Sequence, residues 1–312
     1  MAAIALLAIV SSHGLAVSSP PAQRVVPFVQ APLERHGPPP RSAEPMMVAA
    51  VPPLPVLGAA CTLPTCLGFW KSEYGVSYAY GLATASFGAL MLRCATNQLA
   101  VVHAAAICFY GIRLNTFLLW RELNVKRFQD FREKVEQKAV AAGSRLARAP
   151  FVLSCSLLYY CMCSPLLASN AATASAALAV QATLALKSLV ATAWAGLLLA
   201  AWGDFHKSWV KARLGADTLV MSGPYKWFRH PNYTGEQILW TANMLTAFVS
   251  CAATGSLKRS AGLLAGSAFG WLGIMFVLGK ATANLEARQA KRFQEYAAWQ
   301  KSSWPGFSLK SA

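Results

Sequence analysis

The chain has 312 residues, 55% of them hydrophobic and 13% charged, and 28 Lys and Arg against 12 Asp and Glu leave a formal charge of +16. Soluble domains average about 25% charged residues, so this chain has too little polar surface to coat a water-soluble globule, and it is far too apolar to be disordered. An integral membrane protein remains, its excess cations read as basic loops on one side of a bilayer rather than as a nucleic-acid surface.

Residues 2–10, AAIALLAIV, form an apolar run too short to span a bilayer, and Gly14-Leu15-Ala16 supplies a small-residue cleavage context. Residues 17–55 then hold eleven of the seventeen prolines, three Arg, no Lys, and only Glu34 and Glu44 as acids. This pattern predicts a signal peptide followed by an acid-poor transit segment. Residues 1–60 are therefore expected to be a disordered targeting leader, and 61–312 the membrane domain. A two-part leader suits a plastid membrane; a lone signal peptide would suit the endoplasmic reticulum.

Six long apolar stretches follow, at about 75–92, 98–120, 151–169, 173–202, 236–254 and 260–283, each near the ~18–20 residues that a spanning helix needs. A seventh, about 47–69, is interrupted by Pro52, Pro53, Pro55 and Pro64. The predicted fold is all-α, a polytopic transmembrane helical bundle of six to seven spans. Alternation places the 121–150 loop, the 203–235 loop and the 284–312 tail on one side, with 18 Lys and Arg against Arg93, Lys258 and Arg259 on the other. The basic side is cytoplasmic or stromal by the positive-inside rule. Stretch 121–138 alternates charged and apolar residues and predicts an interfacial helix. Five of the eight cysteines lie in apolar runs, with no CxxC pair and no nearby His at ligand spacing, so free thiols are expected and no metal.

Two cations fall inside spans, Arg113 and Lys187. An ionisable group in hydrocarbon is costly unless it is paired or faces a polar cavity, and Arg113 is expected to point into a cavity open to the basic side. The most informative run is Ser222-Gly223-Pro224-Tyr225-Lys226-Trp227-Phe228-Arg229-His230-Pro231-Asn232-Tyr233-Thr234-Gly235-Glu236. Gly-Pro makes a turn, His-Pro ends any preceding helix, and Asn232 or Thr234 is placed to cap the next one. Beyond punctuation, Arg229, His230, Asn232, Tyr233 and Glu236 gather charged and polar groups at a span entrance. Such a set suits a ribose- and phosphate-bearing cofactor, with Arg meeting phosphate and Asn and Glu meeting hydroxyl or amide groups.

The run Arg229-His230-Pro231-Asn232-Tyr233-x-Gly235-Glu236 resembles the signature of membrane sterol reductases and of the steroid 5-alpha-reductase C-terminal family, nearest its DUF1295-type branch. Three further pieces agree in order: Gly111-Ile112-Arg113-Leu114 through Trp120-Arg121-Glu122; Asp204-Phe205-His206-Lys207, with His where the family has Gln; and Glu286-Ala287-Arg288 followed by Lys291-Arg292-Phe293 and Tyr296. The resemblance covers roughly 100–307. It implies a helical membrane enzyme that binds NADPH from the cytoplasmic side and reduces carbon–carbon double bonds in steroid-like or other lipophilic enones. Carried over residue by residue, it implies cofactor binding by Arg113, Asp204, Lys207, Arg229, His230, Asn232, Tyr233, Glu236, Arg288 and Arg292. Tyr110, one turn before Arg113, ranks first as the donor that polarises the substrate carbonyl. One position departs: the family often carries an acid or Asn one turn before the aspartate, where this chain has Ala200.

Two other readings stand beside the reductase. An S-adenosylmethionine-dependent lipid methyltransferase of the isoprenylcysteine or phospholipid type also uses an Arg-His-Pro-x-Tyr element, but carries a Glu-Glu pair where this chain has Glu286-Ala287. The third is a non-catalytic membrane protein on the same scaffold. Lipid bilayer and a lipophilic small molecule are the expected partners, without nucleic acid.

Overall fold

The computed structural model describes residues 51–174 and 178–307. The leader expected over 1–60 lies outside the described residues as far as residue 50. The first helix, α1 (Leu54–Thr65), runs across the boundary expected at 60. Proline is tolerated in a first helical turn, where its missing N–H has no partner to lose, so Pro53 and Pro55 open this helix rather than prevent it. Leu57 and Cys61, one turn apart, are fully buried against the rest of the chain. A short turn, α2 (Leu67–Trp70), follows.

All regular elements among the described residues are helical, and the sole β-type pairing among them is a bridge between Phe228 and Trp304. The helices continue as α3 (Tyr78–Arg93), α4 (Gln98–Asn124), α5 (Lys126–Ala141), α6 (Ala149–Cys163), α7 (Pro165–Thr173), α8 (Val180–Leu214), α9 (Pro231–Ala253), α10 (Ala261–Arg292) and α11 (Tyr296–Ser302). Four helical runs are long and apolar enough to cross a membrane: Gln98–Asn124, Arg145–Thr173, Val180–Leu214 and Ala261–Arg292. Large apolar side chains such as Leu198, Phe269, Leu272 and Phe276 stand exposed on them, as lipid contact requires.

The expected count of six to seven spans is thus met by four on length and apolarity. Helix α3 has 16 residues, about 24 Å at 1.5 Å per residue, short of a ~30 Å hydrocarbon core. Helix α9 buries Thr234, Glu236, Gln237, Asn243, Thr246 and Ser250, so its polarity is spent on neighbouring helices and lowers its hydropathy. In the bundle, His103 of α4 contacts Ser169 at 2.8 Å and Asn243 at 2.9 Å, and Asn243 donates to the Met162 carbonyl.

Asp204 and Lys207, expected in a 203–235 loop, lie on α8, which runs unbroken to Leu214. Arg288 and Arg292, expected in a tail, form the last turns of α10. Of the stretch expected as a helix over 121–138, residues from Lys126 onward form α5 (Lys126–Ala141), and 121–124 end α4. Its Arg132 is buried, with Nε 3.0 Å from Glu73 and Nη1 2.5 Å from Glu122, and its guanidinium lies over the rings of Tyr74, Tyr78 and Phe128. Lys187 stands exposed on α8, two turns from its start.

Candidate cofactor site

The site begins with a close helix contact. Gly196, Ala200 and Gly203 share one face of α8 by their four- and three-residue spacing. A methyl on Gly196 would lie 2.6 Å from the Gly235 carbonyl oxygen, one on Gly203 would lie 2.8 Å from the Asn232 nitrogen, and one on Gly235 would overlap the Ala200 backbone. Small residues let the two backbones meet. Pro231 opens α9 with His230 outside the α region at φ −137° and ψ 68°, consistent with the α conformation being disfavoured before proline. No side chain caps the helix; Asn232 and Thr234, expected as caps, both lie inside its first turn. This docking sets His230–Tyr233 beside Asp204 and Lys207.

A cavity of about 700 Å³ opens there, within the ~300–1,000 Å³ usual for small-molecule and cofactor sites. The ends of α4, α8 and α10 and the starts of α5 and α9 form its walls, with Phe293 and Trp299 beyond α10. Arg121, Arg127, Lys207, Lys211, Arg288 and Arg292 line it, against one lining carboxylate, Asp204. Asp204 is itself paired with Arg113, Nη1 to Oδ2 2.5 Å. Arg121 makes no ion pair among the described residues, and stacks on Phe117 and Phe128 at 5.6 and 4.2 Å. Lys207 likewise has no carboxylate within ion-pair distance among the described residues.

Below the cavity runs a buried polar chain. Arg113 lies over the Tyr110 ring at 5.4 Å; the Tyr110 hydroxyl donates to Glu236 Oε2 at 2.7 Å. The Tyr80 hydroxyl donates to the same oxygen at 3.4 Å and accepts from Trp240 Nε1 at 2.7 Å. Two Arg113 nitrogens, Nε and Nη2, and Gln289 Oε1 in the cavity wall are buried without a partner among the described residues. Buried polar atoms are normally satisfied, so orphans beside a cavity mark the place of a polar ligand or water.

Of the residues expected to bind cofactor, Asp204, Lys207, His230, Asn232, Tyr233, Arg288 and Arg292 line the cavity, whereas Arg113, Arg229 and Glu236 do not; nor does Tyr110, the expected catalytic donor. Arg229 has its guanidinium committed to the chain. It donates to Glu286 at 2.8 Å, to the carbonyls of Gln300 and Ser303 at 2.8 and 3.1 Å, and to the Ser303 hydroxyl at 3.4 Å. His230 Nε2 lies 3.2 Å from Glu286. Burial lowers the His230 pKa below the ordinary imidazole value, and the hydrogen bond to Glu286 offsets this only in part. The clasp continues in the backbone: Arg229 N–H donates to Trp304, Trp304 N–H to Trp227, and the Gln237 amide exchanges two bonds with Phe307. Arg229, expected at a phosphate, instead fastens the segment after α10 over the start of α9.

The order of these elements along the chain now has a counterpart. The family model for proteins of unknown function DUF1295 matches residues 74–303. The chain belongs to the DUF1295 family. No curated protein and no solved structure matches it. The DUF1295 span contains every residue that lines the cavity, from Phe117 to Trp299, and the Arg229 clasp as far as Ser303. Helix α1 lies before it.

Sequence reasoning missed Arg127, Lys211 and Gln289 as lining residues, and saw Arg121 only as a boundary. Lys211 is one turn beyond Lys207, and that spacing was a usable signal once α8 was known to continue. Arg127 carries none, since it joins the site only through the fold of α5.

Proposed function

We propose that the chain is a membrane-embedded, NADPH-dependent reductase that saturates a carbon–carbon double bond of a lipophilic enone, related to the steroid 5-alpha-reductase and sterol reductase families. The charge of the cavity carries this reading. Six cations face a single lining carboxylate, already paired, which suits a polyphosphate and is repulsive to S-adenosylmethionine, whose sulfonium leaves it net positive. The methyltransferase reading also needs an acid at the ligand, and Glu286 is spent on Arg229 and His230.

In this reading Arg121, Lys207, Lys211 and Arg288 hold phosphates, and His230, Asn232 and Tyr233 hold hydroxyl or amide groups at the start of α9. The nicotinamide, when bound, supplies hydride to the β-carbon of the enone. Asp204 lines the floor of the cavity, and Arg113 holds it there from beneath. Tyr110 gives its one hydroxyl proton to Glu236 Oε2, so to polarise a substrate carbonyl, as this reading asks, the O–H must turn from Glu236 when substrate binds. Helices α3 and α9 complete six crossings, with the cavity on the cytoplasmic or stromal face of a plastid membrane or the endoplasmic reticulum.

Isothermal titration of the detergent-purified chain with NADPH, NADH and S-adenosylmethionine tests the reading. NADPH is expected to bind most tightly and S-adenosylmethionine not at all. Tight S-adenosylmethionine binding moves the chain to the methyltransferases, and binding of none leaves the non-catalytic scaffold.

A further inference from the structure

Two of the six cavity cations are already engaged with a carboxylate of the chain. Arg127 begins α5 and Arg292 ends α10, and both line the cavity. Both reach the same atom, Asp217 Oδ1: Arg127 Nη1 at 3.0 Å, and Arg292 through Nη2. Asp217 lies in the connection after α8, which ends at Gly215 with φ +95°, a conformation that favours glycine. Its neighbours Ala216 and Thr218 line the cavity, while the Asp217 side chain is 74% exposed. Hydrogen bonding and charge from Arg292, then Arg127, hold the Asp217 carboxyl below its ordinary pKa, so it is anionic at neutral pH.

We propose that Arg127 and Arg292 form a subsite for a phosphate monoester, and that Asp217 is an internal competitor which the phosphate displaces. The proposal rests on the dinucleotide reading above and deepens it: the monoester is the 2′-phosphate that separates NADPH from NADH. Two guanidinium groups converging on one oxygen is the arrangement that recognises phosphate as well as carboxylate. Asp217 brings one negative charge to two positive ones, whereas a phosphate monoester brings about 1.5–2 near pH 7 and matches the pair better. Exposed ion pairs are weak because water screens them, so the carboxylate gives way at little cost. A built-in anion also keeps two cationic walls from repelling each other before ligand arrives.

The alternative is a plain clasp between α5 and α10, and affinity separates the two. Full-length protein in detergent is titrated with NADPH and NADH, and with 2′-AMP and adenosine as probes that do not depend on the dinucleotide reading. Asp217→Asn is expected to bind NADPH and 2′-AMP about three- to tenfold more tightly, the range that releasing two surface pairs allows, with NADH and adenosine near their original affinities. Asp217→Glu retains the competitor and is expected to match the unmodified protein. Arg127→Gln is expected to weaken NADPH and 2′-AMP about tenfold, as loss of one charge-assisted bond does, without moving NADH. A weaker NADPH complex in Asp217→Asn, or equal changes for NADPH and NADH, makes Asp217 a clasp and overturns the proposal. If 2′-AMP responds to the substitutions while neither dinucleotide binds, the subsite stands and the reductase reading falls. Identical 2′-AMP affinity in all four proteins removes the subsite whatever NADPH does.

Discussion

Glu236 and Arg229 stand seven residues apart in one motif, and the structure gives them opposite kinds of partner. Glu236 accepts from Tyr110 and Tyr80 beneath the cavity, whereas Arg229 is satisfied by Glu286 and two tail carbonyls. For Glu236→Gln, the amide oxygen still accepts from Tyr110, so the ligand-free protein is expected to fold. The added amide donor faces a site arranged around an acceptor, and an unsatisfied polar group there costs about 1–3 kcal/mol. Glu236 is buried and does not line the cavity, so that cost falls on the ligand-free fold. The ligand-free melting temperature of Glu236→Gln is therefore expected to fall with NADPH-induced stabilisation retained; an unchanged melt with lost stabilisation would place Glu236 at the ligand. Arg229→Lys is likewise expected to act on the fold. Lysine keeps the charge but cannot fork to Glu286 and the tail together, and each lost charge-assisted bond is worth about 1.5–3 kcal/mol. The ligand-free melting temperature should fall, and protease should cut residues 296–307 faster. An intact melt with lost NADPH affinity would return Arg229 to a phosphate. The sequence makes the motif visible, but not this division of labour, because Glu286, Gln300 and Ser303 are 57 to 74 residues away.

Helices were legible as apolar stretches, and their ends were not. Hydropathy reports contact with lipid, whereas a helix continues as long as backbone bonds and side-chain propensities allow. Hence the apolar run ending near 202 continues as α8 to Leu214, and the run ending near 283 continues as α10 to Arg292, carrying Asp204, Lys207, Arg288 and Arg292 from an expected loop and tail onto helices. Conversely the apolar run 151–169 is divided between α6 and α7 at Ser164-Pro165, because proline lacks the N–H that an uninterrupted helix would use. The Ala200 departure also changes meaning. Ala200 is fully buried against Gly235 and does not line the cavity, so a larger side chain there would wedge apart α8 and α9. Gly235→Ala tests the seam from the other side. Its methyl would overlap the Ala200 backbone, and overpacking typically costs about 1–3 kcal/mol. A lower melting temperature is expected together with weaker NADPH binding, since Asn232 and Tyr233 would shift away from Lys207. A seam that tolerates Gly235→Ala with both quantities unchanged would show that the close approach does not position the site.

At the scale of the molecule, charge and length point to one sidedness. The positive-inside count of 18 cations against 3 came from the sequence alone, and the cavity gathers six of those 18 from three separate stretches. Helix α8, with 35 residues, is about 52 Å long at 1.5 Å per residue, well beyond a ~30 Å hydrocarbon core. Its C-terminal end carries half-exposed Trp202 and Trp209 and the cavity cations Lys207 and Lys211, and since tryptophans favour the membrane boundary, this end is expected to project on the basic side. For the proposed reductase, such a placement would let a water-soluble dinucleotide enter from the aqueous phase while a lipophilic substrate reached the deeper end through the bilayer. It also makes parity testable without ligand. With exposed Cys66 replaced by Ser, single cysteines at Val140, Lys258 and Lys301 are labelled in sealed vesicles by a membrane-impermeant maleimide. Val140→Cys and Lys301→Cys are expected to react from the same face, and Lys258→Cys, in the turn between α9 and α10, from the other. Reaction of 140 and 301 from opposite faces would require an odd number of crossings between α5 and α11, which a cavity lined by both α5 and α10 in one aqueous zone does not permit. Reaction of all three from one face would mean that α10, the helix between residues 258 and 301, does not cross.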